Sequence, residues 1–390
     1  MTAISSIPSS PDLDQDGHDS TRRPWWRPED GLGGRHLVAL DDLVLDSGQV
    51  LPAPELAYES WGELNTARDN AILVLHALTG DSHVAGPADP HHPTPGWWDA
   101  MVGPGRPLDT RRWCVIAPNV LGGCQGSTGP SSPSPDGRPW GSRFPAITVR
   151  DQVAAEDALR TALGIDTFAL VVGGSMGGMR AIEWAVSRPS RVQRLAVIAS
   201  SARASADQIA WNTTQLAAIR ADPAFHGGDY YRIGDGTGPV TGLGIARAIA
   251  HTTYRTAGEL ETRFGNRAQP GEDPTTAQGR HQVTSYLDHH ARKLVGRFDA
   301  NSYIRLVEAM NSHDCGRDRG GIDAALARVQ ARTLCVGIDS DRLFPAGDAR
   351  RIAEAVPAGQ YRQLHSPIGH DAFLVAAPEL DGWIRDLLSD

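Results

Sequence analysis

Ser175 lies in Gly173-Gly174-Ser175-Met176-Gly177, directly after the apolar run Phe168-Ala169-Leu170-Val171-Val172 and ahead of the apolar stretch Gly178-Met179-Arg180-Ala181-Ile182-Glu183-Trp184-Ala185. Glycines around a serine on a tight strand-to-helix turn lift its hydroxyl above a sheet edge and aim the next backbone N–H at whatever the hydroxyl attacks. The chemistry this permits is acyl transfer through a serine ester, which needs a base for the hydroxyl proton and an acid to orient that base. In sites of this kind the chain order is serine, acid, histidine. Two carboxylates follow an apolar run in Gly337-Ile338-Asp339-Ser340-Asp341-Arg342-Leu343-Phe344-Pro345. Asp341 opens the turn that Pro345 closes and is the better placed acid, with Asp339 as the alternative. In the final stretch only His365 and His370 remain. His365 reads as part of a strand, so His370, in Ile368-Gly369-His370-Asp371, is the candidate base. An oxyanion hole would take the N–H of Met176 and one donor from His76-Ala77-Leu78-Thr79-Gly80, with Leu78 the candidate.

These residues need a sheet whose strand ends converge. The runs 71–75, 113–117, 168–172, 195–198 and 333–337 are continuously apolar rather than alternating, the pattern of strands covered on both faces of a parallel sheet. Upstream, 36–40, 43–45 and 56–60 read as strands, with Asp46-Ser47-Gly48 as a hairpin turn between two of them. Thr148 and Asp151 make a Thr-x-x-Asp start for a helix reaching Leu163. A short strand at 361–364 precedes His370 and a terminal helix. Strands alternating with helices predict a doubly wound α/β sheet. From 204 to 321 the pattern changes to helical pieces (208–219, 244–253) and a polar segment carrying His281, His289 and His290. The organisation expected is a tail at 1–35, a core formed by 36–203 with 322–390, and a helical lid inserted at 204–321.

Composition narrows the classes further. The chain has 390 residues, 40% hydrophobic and 21% charged, as expected of an ordinary globular protein. A formal charge of −9 leaves no basic surplus for nucleic acid. Cys114, Cys124, Cys315 and Cys335 are scattered without a Cys-x-x-Cys pair, which suggests neither zinc nor disulfides and fits a reducing cytoplasm. No run of 18 apolar residues occurs, so no membrane span is expected. Residues 1–35, rich in Ser, Pro, Asp and Gly, lack the apolar core of a signal peptide and read as a disordered tail.

Six motifs occur in order: His76-Ala77-Leu78-Thr79-Gly80-Asp81-Ser82-His83, the segment 119–130 from Asn119 to Pro130, Gly173-Gly174-Ser175-Met176-Gly177-Gly178, Asn311-Ser312-His313-Asp314, Ser340-Asp341-Arg342-Leu343-Phe344-Pro345 and Gly369-His370-Asp371. Together they closely resemble the homoserine O-acetyltransferases of the α/β-hydrolase superfamily, from about residue 37 to 388. The resemblance implies an α/β-hydrolase fold in which Ser175 takes an acetyl group from acetyl-CoA and passes it to L-homoserine by a ping-pong route. It implies His370 as base, Asp341 as acid, and Leu78 and Met176 as oxyanion donors. It further implies Arg247 at the substrate carboxylate, with Thr79, Tyr254 and Asp371 placing the acceptor, Asp371 at its ammonium group. Acetyl-CoA would be a co-substrate and no cofactor would be bound. A cytoplasmic homodimer assembled through the lid helices is also implied. Succinyl-transferring members resemble one another in an arginine where this chain has Leu343. That difference favours acetyl, although Arg342 stands one position away.

Other readings stay open at this level. The same triad serves an esterase or thioesterase, and L-serine or another alcohol could replace homoserine as acceptor. Cys124 has no elbow to present it as a nucleophile. The glycines at 122, 123, 126 and 129 lack the Lys-Ser/Thr of a phosphate loop. His91-His92 and His289-His290 lack carboxylates at ligand spacing, so no metal is expected.

Overall fold

The sheet forms where the sequence is continuously apolar. The computed structural model describes residues 25–233, 237–375 and 378–389. The chain begins with β1 (His36–Ala39), β2 (Leu43–Val44), β3 (Val50–Leu51) and β4 (Glu55–Trp61), followed by β5 (Ala71–Leu75) and β6 (Cys114–Pro118). Then come α1 (Val149–Ala162), β7 (Leu170–Gly174), α2 (Met176–Ser187) and β8 (Arg194–Ile198). Helices α3 (Ala206–Ala221), α4 (Val240–Tyr254), α5 (Ala257–Arg263), α6 (Gln282–Val295), α7 (Ala300–Asn311) and α8 (Ile322–Leu326) lie between β8 and β9 (Arg332–Ile338). The chain closes with α9 (Ala346–Ala355), β10 (Gly359–Leu364) and α10 (Pro378–Leu388).

Among the described residues the main sheet has eight strands in the order β1-β4-β6-β5-β7-β8-β9-β10. β1 and β4 run antiparallel at one edge, and β6 through β10 are parallel. The physical reason for the continuous apolar runs is visible in β5. Ala71, Leu73 and Leu75 face a core shared with Ala181, Trp184 and Ile352, while Ile72 and Val74 face one shared with Trp98, Leu380 and Ile384. Both faces of the strand are dry, so alternate residues serve two cores and none is left for water. α1 begins as expected: Thr148 and Asp151 bond each other's backbone N–H groups, at 2.7 Å for Thr148 N–H to Asp151 Oδ2. No described helix is long and apolar enough to cross a membrane.

Several expectations need correction. The turn at 46–48 joins β2 to β3, a separate two-stranded ladder, rather than to the strand at 56–60. β7 starts two residues later than predicted, because Phe168 pairs only through an isolated bridge to Val192 while Gly173 and Gly174 continue the ladder into the turn. His365 lies beyond the end of β10. The expected disordered tail shortens: residues 1–24 lie outside the described residues, but 25–35 are anchored at both ends, with residues 28–30 and 32–34 exposed between them. Trp25 is 2% exposed against Tyr231, and Arg35 is buried beside His92. A large indole placed against an apolar cluster outweighs the polar composition around it.

Candidate active site

Two glycines make the turn at Ser175 possible. A Cβ on Gly173 would lie 2.3 Å from the Gly177 carbonyl oxygen, and one on Gly177 would lie 2.0 Å from that of Leu75. Ser175 itself has φ 57° and ψ −125°, a strained region for a residue with a side chain. The strain is held by the Ser175 N–H bond to the Ile198 carbonyl at 3.0 Å and by Ser200 Oγ donating to the Ser175 carbonyl at 2.8 Å.

The elbow meets the two predicted partners from separate loops. Ser175 Oγ is 2.9 Å from His370 Nε2, and His370 Nδ1 is 2.6 Å from Asp341 Oδ2. All three residues are buried. The Asp341 Oδ1 atom accepts the N–H groups of Leu343 and Phe344 at 2.8 and 2.9 Å, which locks the carboxylate's direction. Phe344 stacks on the His370 ring and Phe373 meets its edge. Burial by itself pushes this imidazole's pKa down, but the Asp341 charge and hydrogen bond outweigh it, and His370 is held above the ordinary histidine value. Asp339 turns elsewhere: it pairs with His365 at 2.8 Å on the exposed side of the loop.

The Leu78 and Met176 N–H groups have no acceptor among the described residues. Met176 is the first residue of α2, where a helix leaves its N–H groups unpaired. Around Leu78 the loop is pinned. Arg180 Nη2 donates to the His76 carbonyl at 2.6 Å, and His76 Nδ1 and Gly80 N–H reach the Ala77 carbonyl at 2.7 and 2.9 Å. Leu343 packs in the same apolar cluster as Leu78 and Met176, whereas Arg342 is drawn away over the Trp211 ring.

Residues from α4 and from the chain just after it and after β10 line the approach. Arg247 Nη1 donates to Thr79 Oγ1 at 3.2 Å, and its guanidinium lies over the Tyr254 ring. The Arg247 Nε is buried without an acceptor among the described residues, which leaves donor capacity for an anion. Asp371 is paired with Arg255 Nε at 3.3 Å. Burial raises the Asp371 pKa, and Arg255, His370 and Arg247 counter it. Two arginines here were missed in the sequence. Arg255 adjoins Tyr254 and could have been found by that adjacency. Arg297, which donates from Nη1 to the Thr79 carbonyl at 2.9 Å, sits after α6 with no spacing to mark it.

Other groups lie outside this constellation. Cys124 is buried, its Sγ accepts the Asp299 N–H, and burial pushes its thiol pKa far up, so it carries no thiolate. On spacing alone His92 has no carboxylate, but the fold brings it Glu59. The Glu59, His83 and His92 ligand atoms lie within 4.8 Å of one another. His83 and Glu59 are engaged with each other, while His92 Nε2 is buried without a hydrogen-bond partner, 3.4 Å from Glu59 Oε1. His83 faces Glu59 Oε2 with Nδ1 and the Pro87 carbonyl with Nε2, two acceptors that call for the imidazolium form, while Arg35 donates to His92 Nδ1 at 3.3 Å. That is a hydrogen-bonded ion pair flanked by a guanidinium, a poor donor set for a cation.

The order of strands, the serine elbow and the loop-borne acid and base define an α/β-hydrolase-fold enzyme, and a sequence profile of the alpha/beta hydrolase fold matches residues 70–377. A homoserine O-acetyltransferase of Thermobifida fusca (strain YX) is 58% identical over 366 residues, covering 93% of this chain and 96% of that protein. Likeness of that extent places the chain in the homoserine O-acetyltransferase family. Among solved structures, a homoserine O-acetyltransferase from Bacillus anthracis superposes with a TM-score of 0.83 at 24% identity, covering 91% of this chain and 97% of that one. An acetylester hydrolase from Corynebacterium glutamicum superposes with a TM-score of 0.78 at 26% identity, covering 92% and 97%.

Proposed function

We propose that this protein moves an acetyl group from acetyl-CoA to the side-chain hydroxyl of L-homoserine, giving O-acetyl-L-homoserine and CoA, a step of methionine biosynthesis. His370 Nε2 takes the Ser175 proton as Oγ attacks the thioester carbonyl. The oxyanion forms against the N–H groups of Leu78 and Met176, and the CoA sulfur leaves with the proton from His370. Homoserine's hydroxyl then gives its proton to His370 and attacks the acetyl ester, and Ser175 is released protonated. Asp341 keeps the imidazole in the tautomer that can accept at Nε2 and stabilises the imidazolium.

The observation that carries this reading is the continuous relay from Asp341 through His370 to Ser175 beside two unpartnered N–H donors. Arg247 suits the acceptor's carboxylate, because a guanidinium fork matches it and its Nε lacks an acceptor. Asp371, paired with Arg255 and close to Tyr254, suits the ammonium group, and Thr79 sits against Arg247. The apolar Leu343 beside the oxyanion donors favours an acetyl methyl over a succinyl carboxylate. Four buried, unpaired cysteines fit the cytoplasm. Exposed Ile209, Val240 and Ile245 on α3 and α4 fit a homodimer formed through the inserted helices.

An esterase or thioesterase is the second reading, favoured by the acetylester hydrolase of the same fold. One experiment separates them: free thiol is followed from acetyl-CoA with and without L-homoserine, with L-serine and succinyl-CoA alongside. Release that accelerates strongly with homoserine supports the transferase. Release indifferent to homoserine establishes the thioesterase instead.

A further inference from the structure

We infer that Arg297 is a positioning residue that aims the Leu78 N–H at the oxyanion; the inference rests on the acyl-transfer reading above. In a trans peptide the C=O and the following N–H point in opposite directions, so fixing one fixes the other. The Leu78 N–H shares its peptide plane with the Ala77 carbonyl, and that carbonyl is held by Gly80 N–H at 2.9 Å and by His76 Nδ1 at 2.7 Å. The Gly80 N–H in turn shares its plane with the Thr79 carbonyl, which accepts from Arg297 Nη1 at 2.9 Å. The guanidinium therefore fixes the Thr79–Gly80 plane, and that plane helps fix the Ala77–Leu78 plane that carries the Leu78 N–H, which has no acceptor among the described residues. The His76 ring is fixed independently by accepting the Val120 N–H at Nε2, 3.0 Å. Arg297 is the contribution that comes from the inserted helices.

Arg297 is anchored where it stands. Its own carbonyl accepts Gln125 Nε2 at 2.8 Å, and Asp81 supports its charge. Arg247 reaches the same residue but bonds the Thr79 hydroxyl, which orients no peptide plane. The two arginines thus divide the work: Arg247 faces the acceptor, and Arg297 governs both half-reactions through the oxyanion hole.

The test uses Arg297→Met and Arg297→Lys in the full-length enzyme. Three quantities are compared with wild type: the rate of Ser175 acetylation by acetyl-CoA without acceptor, followed by intact mass; the affinity for methylboronic acid, which adds to the serine and places an oxygen in the oxyanion hole; and the affinity for CoA with the homoserine KM. Arg297→Met should acetylate about 10- to 100-fold more slowly, less than full loss of a donor costs. Methylboronic acid should weaken in parallel, while CoA affinity and homoserine KM stay within about 3-fold. Arg297→Lys, with one donor available to the carbonyl, should recover part of the loss. Unchanged acetylation and boronate affinity overturn the inference. So does a defect confined to homoserine KM, which makes Arg297 a direct substrate contact, or a parallel loss of CoA affinity and thermal stability, which makes it structural. Absence of any acetyl-Ser175 in wild type overturns the underlying reading instead.

Discussion

Asp341 and His370 are joined by a 2.6 Å contact and both are buried, while Asp339, two residues before Asp341, turns to the exposed His365. One short loop after β9 therefore carries two aspartate–histidine pairs with different environments. The inner pair is aligned with Ser175. The outer one ties the loop to the segment following β10, where Ser366 N–H also bonds Asp339.

Asp341→Asn should reduce kcat about 10,000-fold, as expected when the orienting carboxylate is replaced by an amide that stabilises the wrong imidazole tautomer. Asp339→Asn removes only a partly exposed pair and should keep kcat within about 3-fold. Steady-state rates of the two variants, with unchanged CoA affinity as the folding control, check the assignment. Equal losses would leave the acid misassigned.

The pH profile follows from the sign of the His370 shift. A base must be neutral to take a proton, and this histidine is held above 6.5. Thus kcat/KM should fall as pH drops through a value above 6.5 and level off on the alkaline side. In Asp341→Asn the burial remains while the charge is gone, so the limb should move below 6.5. A profile with no acid limb would contradict the assignment of His370 as base.

Ser175→Ala should abolish the acetyl adduct formed with acetyl-CoA, and Cys124→Ser should leave it intact. Intact-mass spectrometry after brief mixing reads both. An adduct surviving in Ser175→Ala would move the nucleophile elsewhere.

Arg247→Gln should raise homoserine KM about 10- to 100-fold through loss of charged hydrogen bonds, with Ser175 acetylation nearly unchanged. Stopped-flow acetylation beside acceptor saturation curves distinguishes the two steps. A loss confined to acetylation would place Arg247 on the donor side.

Trp25→Ala should destabilise the fold by about 3 kcal/mol, since it empties a buried indole site against Tyr231. Denaturant titration gives the value. A midpoint equal to wild type would return this segment to the status of a tail.

Much of the site was legible because its parts are local. A strand, a glycine-flanked serine and a helix occupy adjacent positions, and steric necessity writes the glycines at 173 and 177 into the chain. The continuous apolar runs revealed a sheet with two covered faces for a similar reason, since alternate residues of one strand enter two cores. Trp25 escaped this reading because its burial depends on Tyr231, which is about two hundred positions away. The choice of Asp341 over Asp339 rested on a turn, and only the positions of His370 and His365 in space give each its partner. The pairing of Asp371 with Arg255 and the grip of Arg297 on Thr79 are likewise contacts between segments remote in sequence. By itself the sequence determined which groups could do chemistry and the elements that carry them. The tertiary structure decided which groups meet, because a contact of 3 Å between distant segments depends on how the layers pack and leaves no periodicity or spacing in the chain.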